Sequence, residues 1–319
     1  MDKSQEIARL YSRYECLSKE IREIKSKGPF HKNFMYLPAY IRRDSVKKDF
    51  FRLLEQHPID VTCEAPKNNI LVSLTSFPSR IGIVHLVIKS MMLQNTAPEK
   101  IILWLSKDEF PNQMEDLPES LKSLQGNMFS IAFVDGNMKS HKKYYYAFQQ
   151  YPGYSIVTVD DDLCMPFDTI TRLQKLSIRF PNSVCSNVIR VIETQNGEFR
   201  KYKEWKKIDM PEPSESMNYV SIGYGGVMYP PVCFKNFEFD TNLIFSLCPN
   251  ADDLWLKANE IKENIAVASG GVEFIHPITI PNTQKHSLQR TNNSSSQQND
   301  IQWNQTCAHF GIKPFPVTA

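Results

Sequence analysis

Asp160, Asp161 and Asp162 follow directly on the apolar run YSIVTV at residues 154–159. Three adjacent carboxylates repel one another, and folding alone does not favour them at the mouth of a hydrophobic strand. A hard divalent cation relieves that repulsion. Mg²⁺ and Mn²⁺ take carboxylate and phosphate oxygens together, so one or two aspartates are enough when a diphosphate completes the shell. Such an ion stabilises charge developing on a departing diphosphate, which is Lewis-acid catalysis of leaving-group loss. An acidic turn capping the helix that follows is the alternative for the same residues. A second pair, Asp252 and Asp253, opens another helix, where unpaired N–H groups favour acids even without function.

The elements that must position these groups are those of an α/β domain with a mixed, mainly parallel sheet, because strand and helix signals alternate from about residue 66 onward. Strands are expected at 70–75, 100–105, 129–135, 154–159, near 183–192 and at 219–231. Helices are expected at 84–94, 141–150, 167–180 and 251–262. Ligands of open α/β sheets collect beyond the carboxyl ends of strands, and the acidic run lies at such a place. Ahead of this domain, Ile7, Leu10, Tyr14, Leu17, Ile21 and Ile24 recur at steps of three and four and predict a helix over 5–27. That helix either packs on its own domain or makes a short coiled-coil contact in a homodimer. Residues 193–218 are polar and aperiodic and read as an exposed loop or lid, and 282–300, rich in Asn, Gln, Ser and Thr, as a mobile tail. The chain thus divides into a helical extension over 1–66, a main domain over 67–281 and a C-terminal tail over 282–319 able to close over a ligand.

The 319 residues are 41% hydrophobic and 23% charged, which is ordinary for a globular chain. A formal charge of +2 and a pI near 8.1 lack the basic footprint of a nucleic-acid binder, so a polynucleotide partner is set aside. Seven cysteines form no CxxC pair and no Cys/His ligand spacing, and their odd number argues against a disulfide framework. The N-terminus is too charged for a signal peptide, and no window approaches the roughly 18 uninterrupted apolar residues of a membrane span. The expectation is a cytoplasmic protein that at most touches the inner face of the membrane.

Four segments in order, ILVSLTSFPSR, HKKYYYAF shortly before YSIVTVDDDL, YGGVMYPP and NADDLWLKA, resemble bacterial GT-A glycosyltransferases of surface-polysaccharide (capsule and O-antigen) assembly. More distantly they resemble the fringe-like and β1,3-galactosyltransferases. The resemblance implies a GT-A type, Rossmann-like domain, a nucleotide-sugar donor with UDP as carrier, a saccharide or lipid-linked saccharide acceptor, and Mn²⁺ or Mg²⁺ as cofactor. It implies that Thr75, Ser76 and Arg80 hold the nucleotide, with the Arg80 guanidinium on the diphosphate or the base; a surface arginine closing a turn after Pro78 is the alternative. Asp135 is implied for the base or ribose, against a turn cap at Gly136. Lys142 or Lys143, with Lys143 preferred, faces the diphosphate, against a solvated helix start.

Within the acidic run the resemblance implies Asp162 as direct metal ligand, Asp160 as a ribose or metal contact and Asp161 as a less defined donor contact. Gly225 and Gly226 let backbone approach a sugar ring, since no Cβ stands in the way; a bulge or tight turn explains them too. Asp253, with Asp252 next, is implied as the general base of an inverting transfer. A third metal ligand is sought at His286, or at His276. Two other readings stay open: a sugar-nucleotide pyrophosphorylase or nucleotidyltransferase, although SFPSR is not the glycine-rich basic loop those enzymes carry, and a carbohydrate-binding protein with a degenerate site.

Overall fold

A computed structural model describes residues 3–26, 35–208, 210–271, 275–281, 283 and 298–315. Two N-terminal helices, α1 (Lys3–Ser26) and α2 (Tyr36–Gln56), lie antiparallel, with Tyr11 edge-on to Phe50 at 5.6 Å and Arg42 bonded to Glu20 at 2.7 Å. The stripe expected on α1 faces inward, with Tyr11 fully buried and Tyr14 half-buried beside it. Helix α2 lies in the second half of the helical extension expected over 1–66, and Pro38 sits in its first turn, where a missing N–H costs no helical hydrogen bond.

The main domain then runs β1 (Ile70–Thr75), α3 (Val84–Met92), β2 (Lys100–Ser106), α4 (Glu119–Lys122), β3 (Phe129–Val134), α5 (Lys142–Gln150) and β4 (Ser155–Thr158). After the acidic run come β5 (Leu163–Cys164), α6 (Thr169–Arg179), β6 (Val184–Ser186), β7 (Ile189–Val191), β8 (Thr194–Gln195), β9 (Glu198–Phe199), β10 (Lys206–Lys207) and β11 (Ser214–Ser216). The chain continues through β12 (Tyr219–Ser221), β13 (Val227–Tyr229), α7 (Thr241–Leu247), α8 (Asp252–Lys262), β14 (Val267–Ser269), β15 (Ile278–Thr279) and α9 (Gln298–Phe310).

An eight-stranded sheet has the order β11-β14-β6-β13-β4-β1-β2-β3. Its β4-β1-β2-β3 half is parallel, whereas β13 runs antiparallel between β4 and β6. Side chains alternate between two cores, as a pleated strand requires. Ile70, Val72 and Leu74 join Ile101, Leu103 and Leu105 beneath α1, α2 and α3, while Leu71, Ile102 and Trp104 join residues of α5, α8 and α9 on the other face. Phe50 is fully buried in the first core. Its replacement by alanine is expected to cost about 3–5 kcal/mol of unfolding free energy in urea; a loss below about 1 kcal/mol would show that α2 only rests on the domain.

Three expectations change. The expected strands near 183–192 and at 219–231 are each two strands, β6 and β13 in the large sheet and β7 and β12 in a separate β10-β7-β12 sheet, because the chain turns at Asn187 and Val188 and again at Gly223–Gly225. Residues 193–218 are not simply exposed: Trp205 is buried edge-on to Trp303 of α9 at 5.5 Å, and Arg190 donates to the carbonyls of Tyr202 and Trp205. One tryptophan and one arginine anchor a segment whose average composition is polar. Of the expected mobile tail, most lies outside the described residues, but 298–300 begin α9. Among the described residues no helix is long and apolar enough to cross a membrane, and all seven cysteines are free.

Candidate active site

Strand register explains why distant residues meet. Ser73 of β1 stands opposite Thr158 of β4 in a parallel pair, and Val227 of β13 stands opposite the same Thr158 in an antiparallel one. The loop leaving β1, the acidic run leaving β4 and the glycine turn entering β13 therefore share one edge of the sheet.

The loop after β1 turns at once, with Arg80 N–H on the Phe77 carbonyl at 2.9 Å. That turn folds the guanidinium over the Phe77 ring, 5.4 Å from its centroid, and onto the acidic run. Arg80 donates to Asp161 Oδ1 at 2.6 Å and pairs with Asp162 Oδ2 at 3.0 Å, while Ser76 Oγ donates to Asp161 Oδ2 at 2.6 Å. Arg80 thus closes a turn and is also buried against carboxylates. Thr75 points elsewhere: its hydroxyl donates to the Trp104 carbonyl at 2.8 Å and ties β1 to β2. Burial raises the Asp161 carboxyl above its ordinary value against the pull of Arg80 and Ser76. Burial first, then repulsion from Asp160 and Asp161, pushes Asp162 up to about 6 despite Arg80. The C-terminal segment steadies this run, since Ile280 N–H donates to the Asp162 carbonyl at 2.9 Å.

A second cation serves the other side. Lys143 Nζ lies 3.0 Å from Asp160 Oδ1 and 2.8 Å from Asp252 Oδ2, so it bridges the acidic run to the start of α8. Helix α5 is aimed by its own anchors. Trp104 Nε1 donates to Ser73 Oγ at 2.8 Å, and Ser73 Oγ donates to the Lys143 carbonyl. His141 is fully buried, with Nε2 2.8 Å from the Cys248 carbonyl and Nδ1 2.7 Å from the Tyr144 hydroxyl. A carbonyl only accepts, so Nε2 carries the hydrogen and the Tyr144 hydroxyl donates to Nδ1. Burial pushes His141 down to about 4, and it is a neutral brace for α5 rather than a titrating group.

Asp253 accepts from Gly223 N–H at 3.3 Å. Burial, then the neighbouring Asp252, raises it to about 8, with Lys143 opposing. Asp252 goes the other way: burial opposes its ionisation, but Lys143 outweighs that and holds it below the ordinary range. Asp252 is buried and locked to Lys143, whereas Asp253 is partly exposed.

Gly223 is the residue that sequence reasoning missed. A Cβ there would stand 3.2 Å from Asp253 Oδ1, 3.2 Å from Lys143 Nζ and 3.7 Å from Asp160 Oδ1. The missing side chains of Gly225 and Gly226 instead accommodate Val188, at 2.6 Å, and Thr169 and Met165, and Gly226 has φ +81°. Packing and backbone conformation thus account for the pair. The GYGG run marks the turn in sequence, but nothing local says which glycine meets the acids.

Lys142 and Asp135 stand apart from this cluster. Lys142 is buried against Glu109 at 2.6 Å and Asn137 at 3.2 Å. Asp135 is exposed, pairs with Lys107 at 2.9 Å, and follows the edge strand β3, three places from β4. His276 stacks on Tyr224, ring centroids 6.3 Å apart, and His286 lies outside the described residues. Among the described residues no three His, Cys, Asp or Glu side chains are grouped as a metal-binding set. The donor chemistry nevertheless suits a hard cation whose shell a phosphate completes. Five carboxylates, of Asp160, Asp161, Asp162, Asp252 and Asp253, face two cations, Arg80 and Lys143, which leaves an excess of negative charge; burial is the main cause that raises Asp162 and Asp253, and the neighbouring carboxylates add to it.

No protein-family model matches the chain, and no curated protein matches it in sequence. Solved structures do match its shape. The 1–349 portion of S. aureus TarS, also solved with UDP and with UDP-GlcNAc, is 13% identical, with 76% of this chain and 72% of that one covered and a TM-score of 0.43. A mannosyltransferase from Pyrobaculum calidifontis, in complex with GDP-Man and Mn²⁺, is 13% identical over 83% of this chain and 69% of that one, with a TM-score of 0.40. A UTP-bound UGPase from Acinetobacter baumannii is 9% identical over 76% of this chain and 93% of that one, also at a TM-score of 0.40. These likenesses are remote, and no residue role is transferred from them.

Proposed function

We propose that the chain is a GT-A type glycosyltransferase that moves a sugar from a nucleotide-sugar donor, with UDP as carrier, to a hydroxyl of a saccharide or lipid-linked saccharide, inverting the anomeric centre. The observation that carries this reading is the Lys143 bridge, which sets a donor-side carboxylate, Asp160, and the Asp252-Asp253 pair on either side of one ammonium over the bare backbone of Gly223. Arg80 and Lys143 supply positive charge where a diphosphate would sit. Asp160, the most open of the three, and Asp162 would hold Mn²⁺ or Mg²⁺ together with phosphate oxygens, and that ion would stabilise the departing diphosphate.

Asp253 has what a base needs. It is partly exposed, is oriented by Gly223 N–H, and is raised toward neutral pH, while Asp252 is committed to Lys143. The acceptor oxygen gives its proton to Asp253 and bonds to the anomeric carbon as the bond to the diphosphate oxygen breaks. Because the base works only when ionised, kcat/KM is expected to rise about tenfold per pH unit up to the Asp253 range near 8 and then level off. An acid limb near pH 4, the ordinary aspartate range, would remove Asp253 from that role.

Incubation with a panel of nucleotide sugars and Mn²⁺ tests the reaction class. Slow release of nucleoside diphosphate from one donor, accelerated by a saccharide acceptor, is the expected result. Pyrophosphate-dependent formation of a nucleoside triphosphate would replace the reading with a pyrophosphorylase, and no turnover of any donor would leave only binding.

A further inference from the structure

The antiparallel pair α1–α2 ends in an apolar tip. Met35, Leu37, Tyr40 and Ile41 are exposed by 53, 59, 39 and 58%, whereas the other large exposed apolar side chains, such as Ile178 and Phe245, are scattered singly. Leu37 and Ile41 lie one turn apart, on the side of α2 away from Ala39, Val46, Phe50 and Leu54, which face inward. Leu37, Tyr40 and Ile41 fall within about one helical turn, and clustered exposed apolar side chains of this kind mark an interaction site.

Its surroundings are basic. Residues 19–26 and 35–43 carry five cations, Lys19, Arg22, Lys25, Arg42 and Arg43, against the two carboxylates Glu20 and Glu23. That local excess of three is larger than the formal charge of the whole chain, +2. The pair Arg42–Glu20 at 2.7 Å is solvent-exposed and screens little of it. A second copy of the chain docked through the same patch would set this excess against itself, because a two-fold interface presents one surface to its own likeness. An anionic bilayer offers both acyl chains for the apolar residues and negative headgroups for the cations.

We infer that the α1–α2 tip docks peripherally on an anionic membrane surface. The rest of α1 fixes where the site then stands. Tyr11 donates to the carbonyls of Cys164 and His276, beside the acidic run, and Lys25 is fourteen residues farther along the same helix. At 1.5 Å per residue the bilayer surface lies about 20 Å from that anchor along the helix axis. The inference does not depend on glycosyl transfer, so its test is separable from that of the reaction.

The test is sedimentation of the full chain with vesicles of phosphatidylcholine alone or mixed equally with phosphatidylglycerol. The expected result is binding to the anionic vesicles only, at about 0.1 M salt and not at about 1 M. Replacing Leu37 and Ile41 by serine is expected to lower it roughly tenfold while leaving thermal unfolding and donor turnover in solution unchanged. Equal binding to both vesicle types, no binding to either, or full binding by the double variant would overturn the inference. A concentration-dependent dimer that the double variant abolishes, without vesicle binding, would assign the patch to a second copy instead.

Discussion

Asp253→Asn is expected to lower kcat by about 10²–10⁴-fold while leaving the affinity for the nucleotide portion of the donor unchanged. The side chain keeps its size and can still accept from Gly223 N–H, so geometry survives and only the proton acceptor is lost. Stability separates this outcome from a damaged fold. The carboxyl titrates near 8 in the folded protein and near the ordinary 3.8 in the unfolded one, so the folded state binds the proton more tightly. Raising pH from about 4 to about 8 therefore costs the wild type stability that the asparagine variant does not lose. The variant is expected to match the wild type in urea at pH 4 and to exceed it at pH 9. A variant that is inactive but less stable at pH 9 would point to a structural role for Asp253.

Arg80→Ala should be the most damaging substitution for the fold of the site. The guanidinium is buried and pairs with both Asp161 and Asp162, so its removal leaves two carboxylates with Ser76 as the remaining donor seen on Asp161. Stranding buried charge in this way costs about 3–5 kcal/mol. The sign of the pH dependence follows from the same contacts. Without Arg80 both carboxyls rise further and protonation removes the stranded charge, so the loss should be largest well above the Asp162 range near 6 and shrink as pH falls toward it. Denaturant melts at pH 5 and pH 8 check this, and an equal loss at both would mean that the packing of Arg80 on Phe77 matters more than its charge. Arg80→Lys should recover little, because one ammonium cannot serve two carboxylates in the guanidinium's forked geometry.

Much of this site was legible from local patterns. Each of the strands β1, β2 and β4 is a short apolar run, and the sequence alone puts Asp160–Asp162 just beyond the carboxyl end of β4, where the fold has them. What local pattern could not supply was strand order. Asp135 and Asp160 both follow parallel strands, but β3 is at the sheet edge and β4 is central, and that difference is set by long-range pairing. Lys142 is taken up by a partner, Glu109, that lies in the loop after β2 and has no signature in sequence. Gly223 was hidden for a similar reason, since Val188 decides what faces Gly225, and that contact crosses between the β6–β7 bend and the glycine turn. The inward face of α2, Ala39, Val46, Phe50 and Leu54, has helical spacing, but Pro38 and the basic run beside it obscured the period.

The claim that the acidic run and its two cations form a site for a nucleoside diphosphate is tested most directly by calorimetric titration of UDP in the presence of Mn²⁺. The wild type and the Asp253→Asn variant are expected to bind alike, and Asp162→Ala to bind at least about tenfold more weakly, since it removes a carboxylate that would share the cation with the phosphates. Equal UDP affinity in wild type and Asp162→Ala, with Mn²⁺ present, would contradict the account.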